Sequence, residues 1–132
     1  MKYQEIKAAA EAKTNQLIID CKVFFAFSDK QFDENKTPLH EGEKYVRMFG
    51  GGFIPKFQVE KFNQGMEDIS AWRKAEIKKY KQQDEQIKYE LYNHECFYTG
   101  DPQPVVDLLP DVPKERILAV YRQERPRANA NL

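Results

Sequence analysis

Three consecutive glycines, Gly50, Gly51 and Gly52, constrain this chain more than any other feature. Inside a helix each would cost about 1 kcal/mol relative to alanine. A tight turn, by contrast, needs backbone that enters positive φ without a steric penalty, which glycine supplies. The flanking residues fit a turn: Tyr45, Arg47 and Phe49 alternate with Val46 and Met48, and Phe53 and Ile54 follow the glycines. That is the period of paired strands, so a β-hairpin is predicted from Lys44 to Ile54, with Pro55 ending its second strand by withholding an amide. The glycines do not form a phosphate cradle, because Phe53, Ile54 and Pro55 stand where that motif requires Lys-Ser/Thr and an immediate helix start.

Around the hairpin the period changes to that of helices. Residues 3 to 20 lack Pro and Gly and are rich in Ala, Glu, Lys and Gln, which favours a helix with Ile6, Ala9, Ala10, Lys13 and Leu17 on one face. Lys22 to Phe27 (KVFFAF) reads as a strand, and apolar residues on both of its faces predict an inner or doubly covered one. Ser28 followed by Gln31 is a capping box that starts a helix at Asp29, with Phe27 and Phe32 at the spacing of a hydrophobic staple.

Val59, Phe62, Met66, Ile69 and Trp72 then step by three or four residues, which predicts the main core helix. The polar stretch Lys81 to Gln86 interrupts that stripe. Asp84 is placed to cap a further helix with Ile87, Leu91, His94 and Tyr98 inward, and the pattern leaves open whether residues 57–98 form one helix or two. Gly100 marks a stop, Asp101 and Pro102 a restart through Leu109, and Pro110 and Pro113 bracket a last helix with Ile117, Leu118 and Tyr121 inward. That helix is expected to end at Pro126, leaving residues 126–132 as a frayed tail. The fold expected is α+β and helix-dominated, a small antiparallel sheet of two or three strands packed against several helices.

A chain of 132 residues suits one core, so residues 1–132 are expected to form a single domain, with 41% apolar residues to fill it. Lys plus Arg equals Asp plus Glu at 21 each, which removes any whole-chain field toward nucleic acid or anionic lipid. No apolar run reaches the roughly 20 residues of a membrane span, and the N-terminal residues lack the apolar core of a secretion signal. A cytoplasmic location and no membrane association follow as expectations. Cys21 and Cys96, far apart and without C-x-x-C spacing, are expected to be reduced thiols.

Charge is uneven locally. Residues 89 to 113 hold Glu90, Glu95, Asp101, Asp107 and Asp111 and no Lys or Arg, and basic segments lie on both sides. Intramolecular charge matching accounts for this pattern. Lys74, Lys78 and Lys81 would fall on one side of a continuous helix and, with Arg73, are the only candidate residues for tracking nucleic-acid phosphates. Glu90 stands one turn before His94, where a carboxylate can orient or charge the ring, and with Asp101 they are the candidate acid/base or metal cluster. A hydrogen-bonded structural histidine is the simpler reading. Neither a metal nor another cofactor is expected: one helix offers too few ligands, and His40, Glu95 and Cys96 could join only through tertiary contacts.

The segment Glu90 to Asp101, ELYNHECFYTGD, resembles a motif of small uncharacterised proteins of phages and mobile elements, E-L-x-N-H-E-x-x-Y-T-G-D. FFAFSDKQF at Phe24 to Phe32 and GGFIPKFQVEKF at Gly51 to Phe62 are similar to the same family, so the resemblance spans roughly residues 20 to 110. It implies an accessory gene setting and carries no catalytic residue with it. The function expected is a non-enzymatic interaction module that binds a protein partner or itself. The alternatives are a nucleic-acid binder using the basic helix face and a hydrolase or metal-dependent enzyme centred on Glu90 and His94.

Overall fold

A computed structural model of the chain describes residues 1–39 and 41–131. It is helix-dominated α+β, with seven helices and one three-stranded antiparallel sheet among the described residues. The chain divides into two compact units, Gln4–Ala75 and Met1–Tyr3 with Glu76–Leu132.

The first unit contains the sheet. Helix α1 (Tyr3–Asp20) is followed by strand β1 (Phe24–Phe25), helix α2 (Asp29–Asn35), strands β2 (Tyr45–Arg47) and β3 (Gly52–Pro55), and most of helix α3 (Val59–Lys79). The hairpin has the expected form. Val46 pairs with Ile54 and Arg47 with Phe53, and the turn runs through Gly50 at φ 69° and Gly51 at φ 77°. The strand order is β1-β3-β2, so β1 is an edge strand and only two residues long. The expectation of an inner or doubly covered strand fails on both counts: β1 is at the edge, and Phe25 and Phe27, lying over the glycines of β3 and its turn, keep one face open, while Lys22 has already turned to φ 57° to close α1.

The capping box forms, with one change. Gln31 N donates to Ser28 Oγ at 3.2 Å, while the Gln31 side chain accepts from the Phe27 amide at 2.8 Å rather than from that of Ser28. The predicted staple between Phe27 and Phe32 is replaced. Phe32 packs on Phe24, Tyr45 and Phe53 with ring centroids 4.9–5.6 Å apart, and these four rings form a cluster on one face of the sheet. The Tyr45 hydroxyl donates to the Thr37 carbonyl and ties the loop after α2 to this cluster.

Helices α1 and α3 run antiparallel: Lys13 Nζ lies 4.7 Å from the Trp72 ring, and a Cβ at Gly65 would fall 2.6 Å from Leu17 Cδ1. Gly65 is thus the point of close approach. The stripe Val59, Phe62, Met66, Ile69 and Trp72 is half-buried at best, and Ile77 is the one fully buried residue of α3. It is not the main core helix, because α1, the seven-residue α2 and a short sheet are all that its unit offers to cover it.

The second unit holds the dense core. Helices α4 (Gln83–Asn93), α5 (Cys96–Thr99), α6 (Gln103–Leu108) and α7 (Lys114–Ala130) bury Ile87, Leu91, Cys96, Phe97, Val105, Ile117, Val120, Tyr121 and Ala128 together. Phe97 and Tyr121 stack with centroids 5.2 Å apart. The break left open by the sequence falls between α3 and α4: Lys81 adopts φ 53° and the Gln82 amide reaches back to the Ile77 carbonyl at 2.8 Å. That is a helix stop of the kind glycine usually makes, with lysine in its place. Asp84 lies inside the first turn of α4 instead of capping it, and binds Arg116 at 2.9 Å.

At the far end of α4, His94 leaves helical geometry and Glu95 takes φ 56°, which redirects the chain. Cys96 and Phe97 turn inward, while His94 and Tyr98, expected inward, face solvent. The restart before α6 forms as expected, with Asp101 accepting from the Gln103 amide at 2.9 Å. Helix α7 does not end at Pro126 as expected but passes through it and continues to Ala130, so residues 126–130 are helix and not a frayed tail. The proline costs an amide bond only near the end of the helix, and Ala128, 3% exposed, anchors the turn beyond it.

Candidate interaction surface

Alternation along the strands places Phe25, Phe27, Val46, Met48 and Ile54 on the sheet face opposite the four-ring cluster. Ile54, toward the Pro55 end, is covered at 2% exposure. At the glycine end the same face is open: Phe25 is 46% exposed, Phe27 78%, and Phe49, in the turn itself, is fully exposed. The glycines create this opening. Phe25 pairs with Gly52, whose missing side chain lets the Phe25 ring lie over the backbone; a Cβ there would meet Phe25 Cε1 at 3.3 Å. A Cβ at Gly51 would meet Phe27 Cε1 at 2.5 Å. The rings are thus seated on bare backbone with their outer faces in water, a costly arrangement for an isolated surface.

The residues singled out from sequence lie elsewhere. Glu90 and His94 do come together, with Nε2 3.3 Å from Oε2, Glu90 buried and His94 at the exposed end of α4. Asp101 does not join them: it is exposed and occupied in starting α6. Beside this pair, Tyr92 donates to the buried Glu124 carboxylate at 2.7 Å, and Lys88 approaches the same carboxylate at 3.9 Å, so α4 and α7 are tied by a polar link. Burial pushes the Tyr92 hydroxyl above its ordinary pKa, and the Glu124 hydrogen bond and charge add to this.

Cys96 is buried between α5 and its neighbours. Desolvation raises its pKa and the Asp101 charge raises it further; Cys21 is raised by desolvation too. Both thiols therefore stay protonated and weakly nucleophilic at neutral pH. Among the described residues no group of three or more His, Cys, Asp or Glu side chains is gathered closely enough to hold a metal ion. His40 lies outside the described residues. Of the basic strip, Arg73, Lys74 and Lys78 lie in α3, Arg73 half-buried, while Lys81 stands beyond the helix end in left-handed backbone. The continuous helix that the strip required therefore stops before Lys81. No helix among the described residues is long and apolar enough to cross a membrane.

Residues 2–124 match the family of unknown function DUF7659, a span that includes all three strands and the glycine turn. The chain belongs to this family. No curated protein and no solved structure matches it. The DUF7659 match also spans the polar link between α4 and α7 and ends at Glu124, the carboxylate that accepts from Tyr92.

Sequence reasoning placed Phe25 in a covered strand, Phe27 in a staple and Phe49 only in the alternation of the hairpin's first strand, and so missed this surface. The signal was present in the glycines: a strand that pairs with Gly-Gly has no opposing side chains to hide its rings.

Proposed function

We propose that this chain is a non-enzymatic accessory interaction module, of the phage or mobile-element type that its ELYNHECFYTGD segment resembles. In this reading it binds a protein partner through Phe25, Phe27 and Phe49. The observation that carries the reading is the exposure of these three rings at one end of the sheet. Aromatic anchors at the centre of a patch supply most of the free energy of protein association. A protein partner with an apolar surface suits them better than nucleic acid does. The unit that bears them has as many acidic as basic residues, and single-strand binding needs a basic groove beside its stacking rings.

The test uses the full chain with Phe27→Ser and Phe49→Ser combined, and Leu108→Ser on the other unit as a control. Cross-linking and affinity capture from cell lysate should recover a protein that the wild type and the Leu108 variant retain and the double variant loses, with thermal melting unchanged. Capture that is indifferent to the double substitution overturns the reading. So does a mobility shift of single-stranded DNA or RNA at about 50 mM salt that depends on the same two rings.

A further inference from the structure

The two edges of the sheet differ. Ala26 N donates to Gly51 O at 2.9 Å, so in the β1–β3 ladder Phe25 directs its own amide and carbonyl away from β3. That outward carbonyl is taken by Asn35 Nδ2 at 2.9 Å, from the end of α2, and the β1 edge is thereby closed. On the other side Met48 N donates to Gly52 O and Lys56 N to Lys44 O, both at 2.7 Å, which makes Lys44, Val46 and Met48 the residues bonded to β3. Tyr45 and Arg47 must then direct their amides and carbonyls outward, and Glu43 is the next position in that alternation. Among the described residues no backbone hydrogen bond reaches the outward groups of Tyr45 or Arg47.

The charges along this edge are arranged for one way of filling it. Glu43 and Arg47 flank Tyr45 symmetrically, carry opposite charge and are exposed, and neither is held in an ion pair among the described residues. An antiparallel copy of the strand related by a two-fold axis through Tyr45 would set Arg47 opposite Glu43 of the second copy and Glu43 opposite its Arg47. Centring the axis on Glu43 or on Arg47 would instead place like charges directly opposite each other, which is unfavourable. Side chains of a bonded cross-strand pair share a face, so both ion pairs would form beside Phe53, over whose ring Arg47 already lies at 5.7 Å.

We propose that the β2 edge is a self-association site, at which two copies of this chain pair antiparallel about Tyr45 and join their sheets into one. This interface goes beyond the phenylalanine surface and does not depend on it. The isologous geometry closes after two copies, so the edge is consumed in a dimer rather than propagated into fibres. Opposite charges at fixed spacing select the register and disfavour others.

Sedimentation equilibrium of the full chain tests it through a charge swap. Wild type should be dimeric at about 100 µM, a concentration suited to a small interface. Glu43→Arg and Arg47→Glu should each weaken the dimer about tenfold or more, since either change creates two like-charge oppositions. The double variant E43R/R47E should restore it. Circular dichroism of each variant, unchanged from wild type, shows that the sheet is intact. A wild type that stays monomeric, single variants that dimerise as well as wild type, or a double variant that fails to recover would each overturn the proposal. The Phe27→Ser, Phe49→Ser variant should dimerise normally, so partner capture that survives this variant while the dimer stays intact would sink only the surface reading, and capture lost in this variant beside a wild type that stays monomeric would sink only this one.

Discussion

The two units solve the same problem, hiding apolar side chains, with different materials and different success. In the helical unit Ile87, Leu91, Cys96, Val105 and Ile117 have no solvent exposure at all. In the sheet unit Phe24, Phe32, Tyr45 and Phe53 are only half-buried against one another, and Phe25, Phe27 and Phe49 lie outside. Aliphatic side chains on four helices close around one another from all sides. Rings on strands of two to four residues have neighbours along one face only. The helical unit therefore holds the stability, and the sheet unit carries the exposed rings on which the proposed partner would act.

The sharpest way to break that comparison is to cut the helical core. Ile117→Ala should cost about 2 to 5 kcal/mol, measured by urea denaturation, because a fully enclosed side chain leaves a cavity. A loss under about 1 kcal/mol would mean that the core is less closed than it looks. In the sheet unit the largest effect should come from the turn. Gly51→Ala forces alanine into φ 77° and into the Phe27 ring, and should cost about 1 to 2 kcal/mol. Gly50 has similar φ but nothing near its Cβ position, so Gly50→Ala should cost less. Ser28→Ala removes the acceptor for the Gln31 amide and should cost about 1 kcal/mol in the same assay.

The sequence made the local devices legible: the glycine turn, the Ser28 cap, and the restart at Asp101 each rest on a few adjacent residues whose chemistry allows one backbone path. It failed where the decisive partner was distant or the signal was borne by an unusual residue. Lys22, Lys81 and Glu95 stop helices in left-handed backbone, where glycine would have announced the stop, and so the fate of Lys81 to Gln86 stayed open. The redirection at Glu95 also moved His94 and Tyr98 outward, which no periodic pattern could show. Of the candidate cluster only the Glu90–His94 contact was readable, because it is one turn of one helix. The link from Tyr92 to Glu124 spans 32 residues and left no trace in spacing.

That link offers a smaller and more specific test. The folded chain holds the Tyr92 proton more tightly than the ordinary value of 10.0, through burial and Glu124. The stability this confers is present below that value and declines as pH rises through and beyond it, since the unfolded chain ionises first. Tyr92→Phe should lower stability by roughly 1 kcal/mol or less at pH 7 and flatten the alkaline limb of a stability–pH curve recorded by urea melts. An unchanged alkaline limb would remove Tyr92 from the tie between α4 and α7.

The smallest effect expected is the one that most sharpens the contrast between the units. Phe49 is fully exposed, so the folded chain holds its ring in water as the unfolded chain does, and little burial is lost when it is cut back. Phe49→Ser should shift stability by no more than about 0.5 kcal/mol, the usual range for surface positions. A large residue that contributes little to folding and still sits at the tip of a glycine turn is what the proposed partner surface requires of Phe49. A loss above about 1 kcal/mol would instead mean that Phe49 packs inward in solution, and the comparison would then lose its open side.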